Sequence, residues 1–344
     1  MAHATTGRPE QPEPYLRGAP FPAGGGAPYP RAKPETPMLR LPMDTWTMAK
    51  VPAGVRLEFS GDAEAIEVDY TTEQAAFGYL GGGEGGEFTL WRGDELVASE
   101  PAVVGEGTVR LPGTGGAERA VVHLPERMLP TVTAIRAAAG DPGSIEPAAP
   151  QPKWIAYGDS ITEGWTVSTP GNSWSMLAAK RHGLDVTNMG YSGAARGEIP
   201  SAEEIASLPA DVITIAHGTN CWTRIPFSVG MFREGLIGFL DIVRQGHPDT
   251  PIVAVSPITR PDAESTPNRL GANLVELRAV FQRVVGDRIA AGDKRLSLVE
   301  GFPIVDPALL DDGIHPGDAG HAAMADVIGP AVAAALAAAT PSND

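Results

Sequence analysis

The sequence predicts an α/β chain of two domains, an all-β sandwich or jelly roll followed by a parallel α/β domain with a five-stranded sheet. Three observations carry this expectation. Apolar residues alternate with period two between residues 55 and 124, and after residue 152 they gather into short runs separated by helix-period segments. Pro- and Gly-rich stretches mark both changes of pattern.

Taken in order, residues 1–37 hold nine prolines and the glycines Gly24, Gly25 and Gly26. Such a segment is expected to be extended or partly disordered, with Tyr15, Leu16, Phe21 and Tyr29 able to drape it over a domain. In residues 38–140 the alternating sets are Val55, Leu57 and Phe59, then Ile66, Val68 and Tyr70, then Phe88 and Leu90, Val109 and Leu111, Val122 and Leu124. Turn signals at Gly61-Asp62, Gly93-Asp94 and Gly113 to Gly116 separate them, the spacing of a sandwich. Residues 141–152, with Pro142, Gly143, Pro147, Pro150 and Pro152, read as an interdomain linker.

From 153 to 340 the pattern is strand and helix in alternation. Trp154 to Tyr157, Asp211 to Ala216, Ile252 to Val255 and Leu296 to Val299 are runs suited to burial on both faces, and Leu184 to Met189 is a weaker fifth. Val229, Phe232, Leu236, Phe239 and Val243 step along one helical face, and a final Ala-rich helix covers about 319–339. Ligands of such sheets bind beyond the carboxyl ends of the strands, so chemistry is expected just after each run.

Composition narrows the function. Lys and Arg number 26 against 42 Asp and Glu, a net charge of −16, which disfavours nucleic acid and anionic membrane as partners. A single cysteine, Cys221, excludes an internal disulfide and a Cys-based zinc site. With no basic and apolar leader and no run of about 18 apolar residues, a cytoplasmic protein without a membrane span is expected; Ala331 to Ala339 is too short to be an anchor.

Four polar constellations fall at the predicted strand ends. Gly158-Asp159-Ser160-Ile161 follows the first run, where glycine permits a sharp turn and presents the Ser160 hydroxyl near a helix start; the alternative for Ser160 is a helix cap. Asp312-Gly313-Ile314-His315-Pro316 precedes the last helix. A serine nucleophile needs an imidazole to take its proton, and the imidazole needs a carboxylate on its other nitrogen. Asp312 and His315, three residues apart, can supply both, unless they are a solvated surface pair. Asn188-Met189-Gly190-Tyr191-Ser192-Gly193 and His217-Gly218-Thr219-Asn220 follow two further strands, where a glycine N–H and an asparagine amide could face a developing oxyanion or merely serve turns.

Taken in chain order, as Gly-Asp-Ser, then Gly, then Gly-Thr-Asn, then Asp-x-x-His, the four motifs resemble the SGNH (GDSL-type) hydrolase family over about 153–340. The resemblance implies a flavodoxin-like three-layer fold, with Ser160 as nucleophile, His315 as base and Asp312 as orienting acid. It also implies an oxyanion hole from the Ser160 N–H, the Gly190 N–H and the Asn220 side chain. No metal or other cofactor is expected. One departure stands out. The family usually has Asp after the third-block Asn, where this chain has Cys221 and then Trp222. Cys221 reads as a small buried residue, and Trp165, Tyr191, Trp222 and the loop 259–268 are pocket candidates.

Other motifs carry less. Gly81, Gly83 and Gly86 satisfy G-x-G-x-x-G but precede a strand where a dinucleotide site needs a helix. His217 and His321 lack ligand partners at metal-site spacing. A β-sandwich before such a domain resembles jelly-roll-bearing carbohydrate esterases and an SGNH-type salicylyl acyltransferase, and Trp46, Tyr79 and Trp91 are its candidates for glycan contact. The expected activity is hydrolysis of a small or medium acyl ester, such as acetyl on a sugar or natural product. Acylation of a natural-product alcohol is the alternative, and noncatalytic carbohydrate binding a weaker one.

Overall fold

The computed structural model describes residues 8–34, 40–73, 85–113 and 116–339. The chain divides into two compact units. The first takes residues up to 34, 50–151 and 168–171; the second takes 152–167 and 172 onward, together with the helix α1, Met43–Ala49.

The first unit is a sandwich of two antiparallel sheets. Its strands are β1 (Leu16–Arg17), β2 (Arg56–Gly61), β3 (Ala65–Thr72), β4 (Glu87–Arg92), β5 (Glu95–Pro101), β6 (Gly105–Pro112), β7 (Gly116–His123), β8 (Thr131–Ala137) and β9 (Ile145–Pro147). One sheet runs β1-β2-β7-β4-β5 with β9 also on β2, and the other runs β6-β3-β8. The alternating residues meet between them: Leu57, Phe59, Leu90 and Val122 share a core with Ile66, Val68, Val109 and Ile135. Tyr70 packs on Phe88 at 4.7 Å between ring centroids.

Three expectations for this region are corrected. Residues 145–147, inside the predicted linker, form an edge strand, held by the Asp62 and Asp141 carboxylates, which accept backbone N–H groups from Ser144, Ala65 and Gly143. Residues 43–49, expected within the sandwich, are a helix of the second unit and bring Trp46 with them. Trp46 and Trp91 are both buried, and the Trp91 indole donates to the Pro170 carbonyl, so neither presents a face to a glycan. Tyr79, Gly81 and Gly83 lie outside the described residues. The lead segment does drape as its aromatics suggest: Tyr15 and Tyr29 are buried, and the Tyr29 hydroxyl accepts the Val132 N–H at 3.0 Å.

The second unit is a three-layer α/β domain. Its parallel strands are β10 (Lys153–Gly158), β11 (Asp185–Gly190), β12 (Val212–Ala216), β13 (Ile252–Val255) and β14 (Leu296–Val299), in the order β11-β10-β12-β13-β14. That is the flavodoxin-like order, whose switch point lies between β10 and β12. The helices are α2 (Ser160–Glu163), α3 (Trp174–His182), α4 (Ile199–Ser207), α5 (Val229–Gly246), α6 (Leu274–Ala290) and α7 (Asp318–Ala339). Alternation along β10 assigns the faces: Trp154 and Ala156 share a core with residues of α3 and α7, while Tyr157 stacks on Phe239 of α5 at 4.8 Å. Of the predicted helical stripe, Phe232, Leu236, Phe239 and Val243 are buried, and Val229 is exposed. By length and composition α7 could cross a membrane, contrary to the expectation from apolar runs. Here it packs Met324, Ala325, Ile328 and Val332 into the core.

Within the sandwich, Arg56 and Glu58 form a buried ion pair at 2.6 Å, and Arg119 also meets Glu58. Burial raises the Glu58 carboxyl, but the two guanidinium groups outweigh it and hold the group below its usual range. The pair's contribution is therefore fully present above the ordinary carboxylate range and lost as pH falls through the depressed value. Glu58→Gln strands Arg56 without its counter-charge and is expected to cost about 3–5 kcal/mol. A lower urea midpoint at neutral pH reports this, and an unchanged midpoint refutes it.

Candidate active site

The site begins where β10 ends. A Cβ on Gly158 would lie 2.1 Å from Thr162 Oγ1 and 2.6 Å from the Ala216 carbonyl oxygen, so only glycine lets the chain turn this tightly against β12. Asp159 caps the turn, its Oδ1 accepting the Ile161 N–H at 3.1 Å. The cap is thus Asp159, and Ser160 is released from that role. The Ser160 N–H, in the helix's first turn, has no partner among the described residues. Burial pushes the Asp159 carboxyl up to about 7, against weaker opposing effects from the Ile161 N–H and the Arg260 charge.

The loop before α7 brings the other two groups. Asp312 Oδ1 accepts the N–H groups of Ile314 (2.9 Å) and His315 (2.8 Å), which fixes the carboxylate before the imidazole is considered. Oδ2 then receives His315 Nδ1 at 2.7 Å, and His315 Nε2 lies 2.7 Å from Ser160 Oγ. With a carboxylate accepting at Nδ1, the proton resides on that nitrogen and Nε2 is left to accept from the serine hydroxyl. Partial burial alone would raise Asp312; its hydrogen bonds from the side chain and backbone of His315 prevail and hold it low, as an ionised partner.

The segment after β11 departs from expectation. The Gly190 N–H donates to Asn188 Oδ1 at 2.8 Å and is not free to meet an oxyanion. Gly190 is needed for space instead: a Cβ there would lie 2.2 Å from the Glu163 backbone nitrogen, so its absence lets α2 rest on the strand end. Asn188 Nδ2 binds the Thr162 carbonyl at 2.8 Å, and Glu163 Oε2 accepts the Ser192 N–H at 3.1 Å, locking the two segments together. Three residues on, Gly193 sits at φ +66°, exposed, with an N–H that has no partner among the described residues. Gly193 belongs to the same glycine-bearing block, and only the tertiary hydrogen bonds separate it from Gly190. Asn220, in the turn after β12, donates one amide hydrogen of Nδ2 to the Ala195 carbonyl at 3.2 Å, and the other has no partner among the described residues.

The pocket candidates divide. Trp165 lies 6.3 Å from the His315 ring. Trp222 donates Nε1 to the Thr266 carbonyl at 2.7 Å and carries the Arg260 guanidinium 4.9 Å from its ring, so the 259–268 loop rests on it. Tyr191 is corrected: it is fully buried, its ring edge-on to Tyr157, and lines no open pocket. Cys221 is buried and its thiol pushed far up by burial, the opposite of an activated nucleophile. His217 stands among Tyr157, Phe232, Phe239 and Phe281, and burial lowers it to about 4; His321, which accepts the Trp174 N–H, is lowered likewise. Both are neutral core residues. Among the described residues no three His, Cys, Asp or Glu side chains are grouped to hold a metal ion.

Residues 156–323 match the model of the GDSL-like Lipase/Acylhydrolase family. Among curated proteins none matches. Among solved structures, the chain is similar to a salicylyl-acyltransferase from a tetracycline biosynthetic pathway, at 25% identity over 97% of this chain and 99% of that one, with a TM-score of 0.82. A protein from Bacteroides ovatus named as a GDSL-like lipase aligns over 96% of this chain and 98% of its own, at 19% identity and TM-score 0.77. A family two carbohydrate esterase from Clostridium thermocellum, in complex with cellohexaose, aligns over 82% and 92%, at 18% identity and TM-score 0.58. The last two are likenesses of fold.

The raised Asp159 carboxyl has a stability consequence. Its value is about 7 when folded against 3.8 ordinarily, so its contribution is fully present below 3.8 and lost as pH rises through 7. Asp159→Asn keeps an oxygen for the Ile161 cap and removes the ionisation. The melting temperature of the variant minus that of the wild type is expected to grow from about pH 5 to about pH 8. A difference that is flat with pH would mean Asp159 does not titrate in this range.

Proposed function

We propose that this chain, whose residues 156–323 match the GDSL-like Lipase/Acylhydrolase model, is a serine esterase acting on a small or medium acyl ester. The observation that carries the reading is the continuous chain Asp312–His315–Ser160, with both links at 2.7 Å. Ser160 Oγ attacks the ester carbonyl while His315 Nε2 takes the hydroxyl proton, and Asp312 stabilises the imidazolium. Collapse of the tetrahedral intermediate breaks the bond to the alcohol, which leaves with the proton from His315. Water then attacks the acyl-serine, gives a proton to His315, and releases the acid as Ser160 regains its own.

Negative charge on the former carbonyl oxygen needs fixed donors. We assign these to the Ser160 N–H, the Gly193 N–H in place of Gly190, and the second amide hydrogen of Asn220. Trp165 and Trp222 flank this machinery as walls for the ester.

The second reading is acyl transfer, in which an alcohol in place of water accepts the acyl group. The similarity to a salicylyl-acyltransferase along nearly the whole chain favours carrying it. Triad chemistry is common to both, and the difference lies in whether the pocket admits an alcohol and excludes water. The ester's alcohol is proposed to be a sugar or natural-product hydroxyl, and the sandwich a stabilising or substrate-binding partner.

Ser160→Ala is expected to abolish turnover of p-nitrophenyl esters with an unchanged circular dichroism spectrum; wild-type rates in that variant would refute the assignment. Asn220→Ala is expected to lower kcat by about 10²–10³. Competing water with added alcohols under single-acyl-donor conditions separates the two readings, since a new ester marks transfer and free acid marks hydrolysis.

A further inference from the structure

Arg196 is a charged side chain almost without solvent, 7% exposed, three residues after Gly193. Its Nη2 reaches two acceptors, Asp44 Oδ2 at 2.5 Å and the Gly193 carbonyl oxygen at 3.2 Å, while Nη1 stands 3.6 Å from Glu198 Oε1. Its Nε has no partner among the described residues. Asp44 belongs to α1, some 150 residues earlier in the chain, and its side chain is 44% exposed. The neighbouring Thr45 hydroxyl faces Glu198 Oε1 at 3.5 Å. Glu198 is itself committed to the loop, accepting the Arg196 N–H at 3.1 Å and the Tyr157 hydroxyl at 3.0 Å, and burial raises its carboxyl.

A buried guanidinium demands a counter-charge. Of the two carboxylates, Asp44 at 2.5 Å is the closer, while Glu198 stands at 3.6 Å and is shared among several donors. Take that charge away and Arg196 is driven toward water, which releases the Gly193 carbonyl. The Gly193 residue is otherwise bracketed by the Ser192 N–H on Glu163 Oε2 and the Ala194 N–H on the Tyr191 carbonyl. Its own N–H is the free donor between these ties, and glycine at φ +66° lets the peptide pivot readily once a tie is lost.

We propose that Asp44 and Arg196 are positioning residues of the oxyanion site: Asp44 on α1 holds Arg196, Arg196 holds the Gly193 carbonyl, and this fixes across the Gly193 Cα the preceding peptide, whose N–H is assigned to the oxyanion. This rests on the esterase reading and on Gly193 as a donor. Neither side chain touches the ester, so the effect is confined to stabilisation of the tetrahedral state.

Asp44 is the residue to change, because a half-exposed side chain can be altered without emptying the core. Asp44→Ala is expected to lower kcat about tenfold, a fraction of what loss of a whole donor removes, with KM unchanged. The inhibition constant of an alkyl boronic acid, whose tetrahedral adduct places an oxygen in the same site, is expected to rise by the same factor. Asp44→Glu, which restores the carboxylate, is expected to recover most of both. A merely structural role for Asp44 would lower the melting temperature and leave the boronate constant alone. If Ser160 of the wild type is labelled by a fluorophosphonate and Asp44→Ala keeps kcat or the boronate constant within about twofold, this inference is overturned and the esterase reading stands. If wild-type Ser160 is not labelled, the esterase reading falls and this inference with it.

Discussion

The close seating of the Ser160 turn on the sheet governs the rest of the candidate site. Gly158 and Gly190 stand opposite each other at the ends of β10 and β11, and each leaves space that a methyl group would occupy. Because of that space the α2 backbone lies against the strand ends. Thr162 and Glu163 can then receive the Asn188 amide and the Ser192 N–H. Ser160 is thereby fixed from beneath, and the His315 ring needs only its own loop to reach it. A hydrogen-bonded triad demands placement within fractions of an ångström, and backbone contacts of this kind supply it more rigidly than side-chain packing does.

Buried charge is the second theme, and the chain handles it in different ways. The Arg56–Glu58 pair in the sandwich is compact and mutually compensated. Asp159 has no comparably close cation among the described residues and rises toward neutrality instead, while His217 simply loses its proton among four aromatic rings. Arg196 cannot lose a proton, so it must find a carboxylate, and it finds one on a helix from far along the chain. The neutral groups are consistent with structural roles, and the group that cannot be neutralised is the one tied to the loop bearing the free Gly193 N–H.

Much was legible in the residues themselves. Period-two alternation located the β2, β3, β4, β6 and β7 strands, and near-continuous apolar runs located all five parallel strands. Alternation failed at β8, where the register slips between its pairings with Asp69 and Tyr70 and so breaks the period along Thr131–Ala137. It failed again at β5, an edge strand in which only the adjacent Val97 and Ala98 reach the core and the flanking residues are exposed, so no alternation is left to read. Helix α1 was invisible because seven residues show barely two turns, and its apolar side chains become meaningful only against the second unit.

Local spacing determined, from sequence alone, that an Asp–Gly–Ile–His loop can orient its own imidazole and that Ser160 follows a strand through a glycine turn. Both are short-range matters of backbone geometry, and both are legible in a few consecutive residues. Only the tertiary structure decided which glycine of the block from Asn188 to Gly193 keeps an unshared N–H. It also placed Tyr191 in the core and made Asp44 the partner of Arg196. Each of those outcomes depends on groups from separate strands and helices competing for the same donor, acceptor or space. Such competition has no period along the chain and acquires a definite result only when the elements pack.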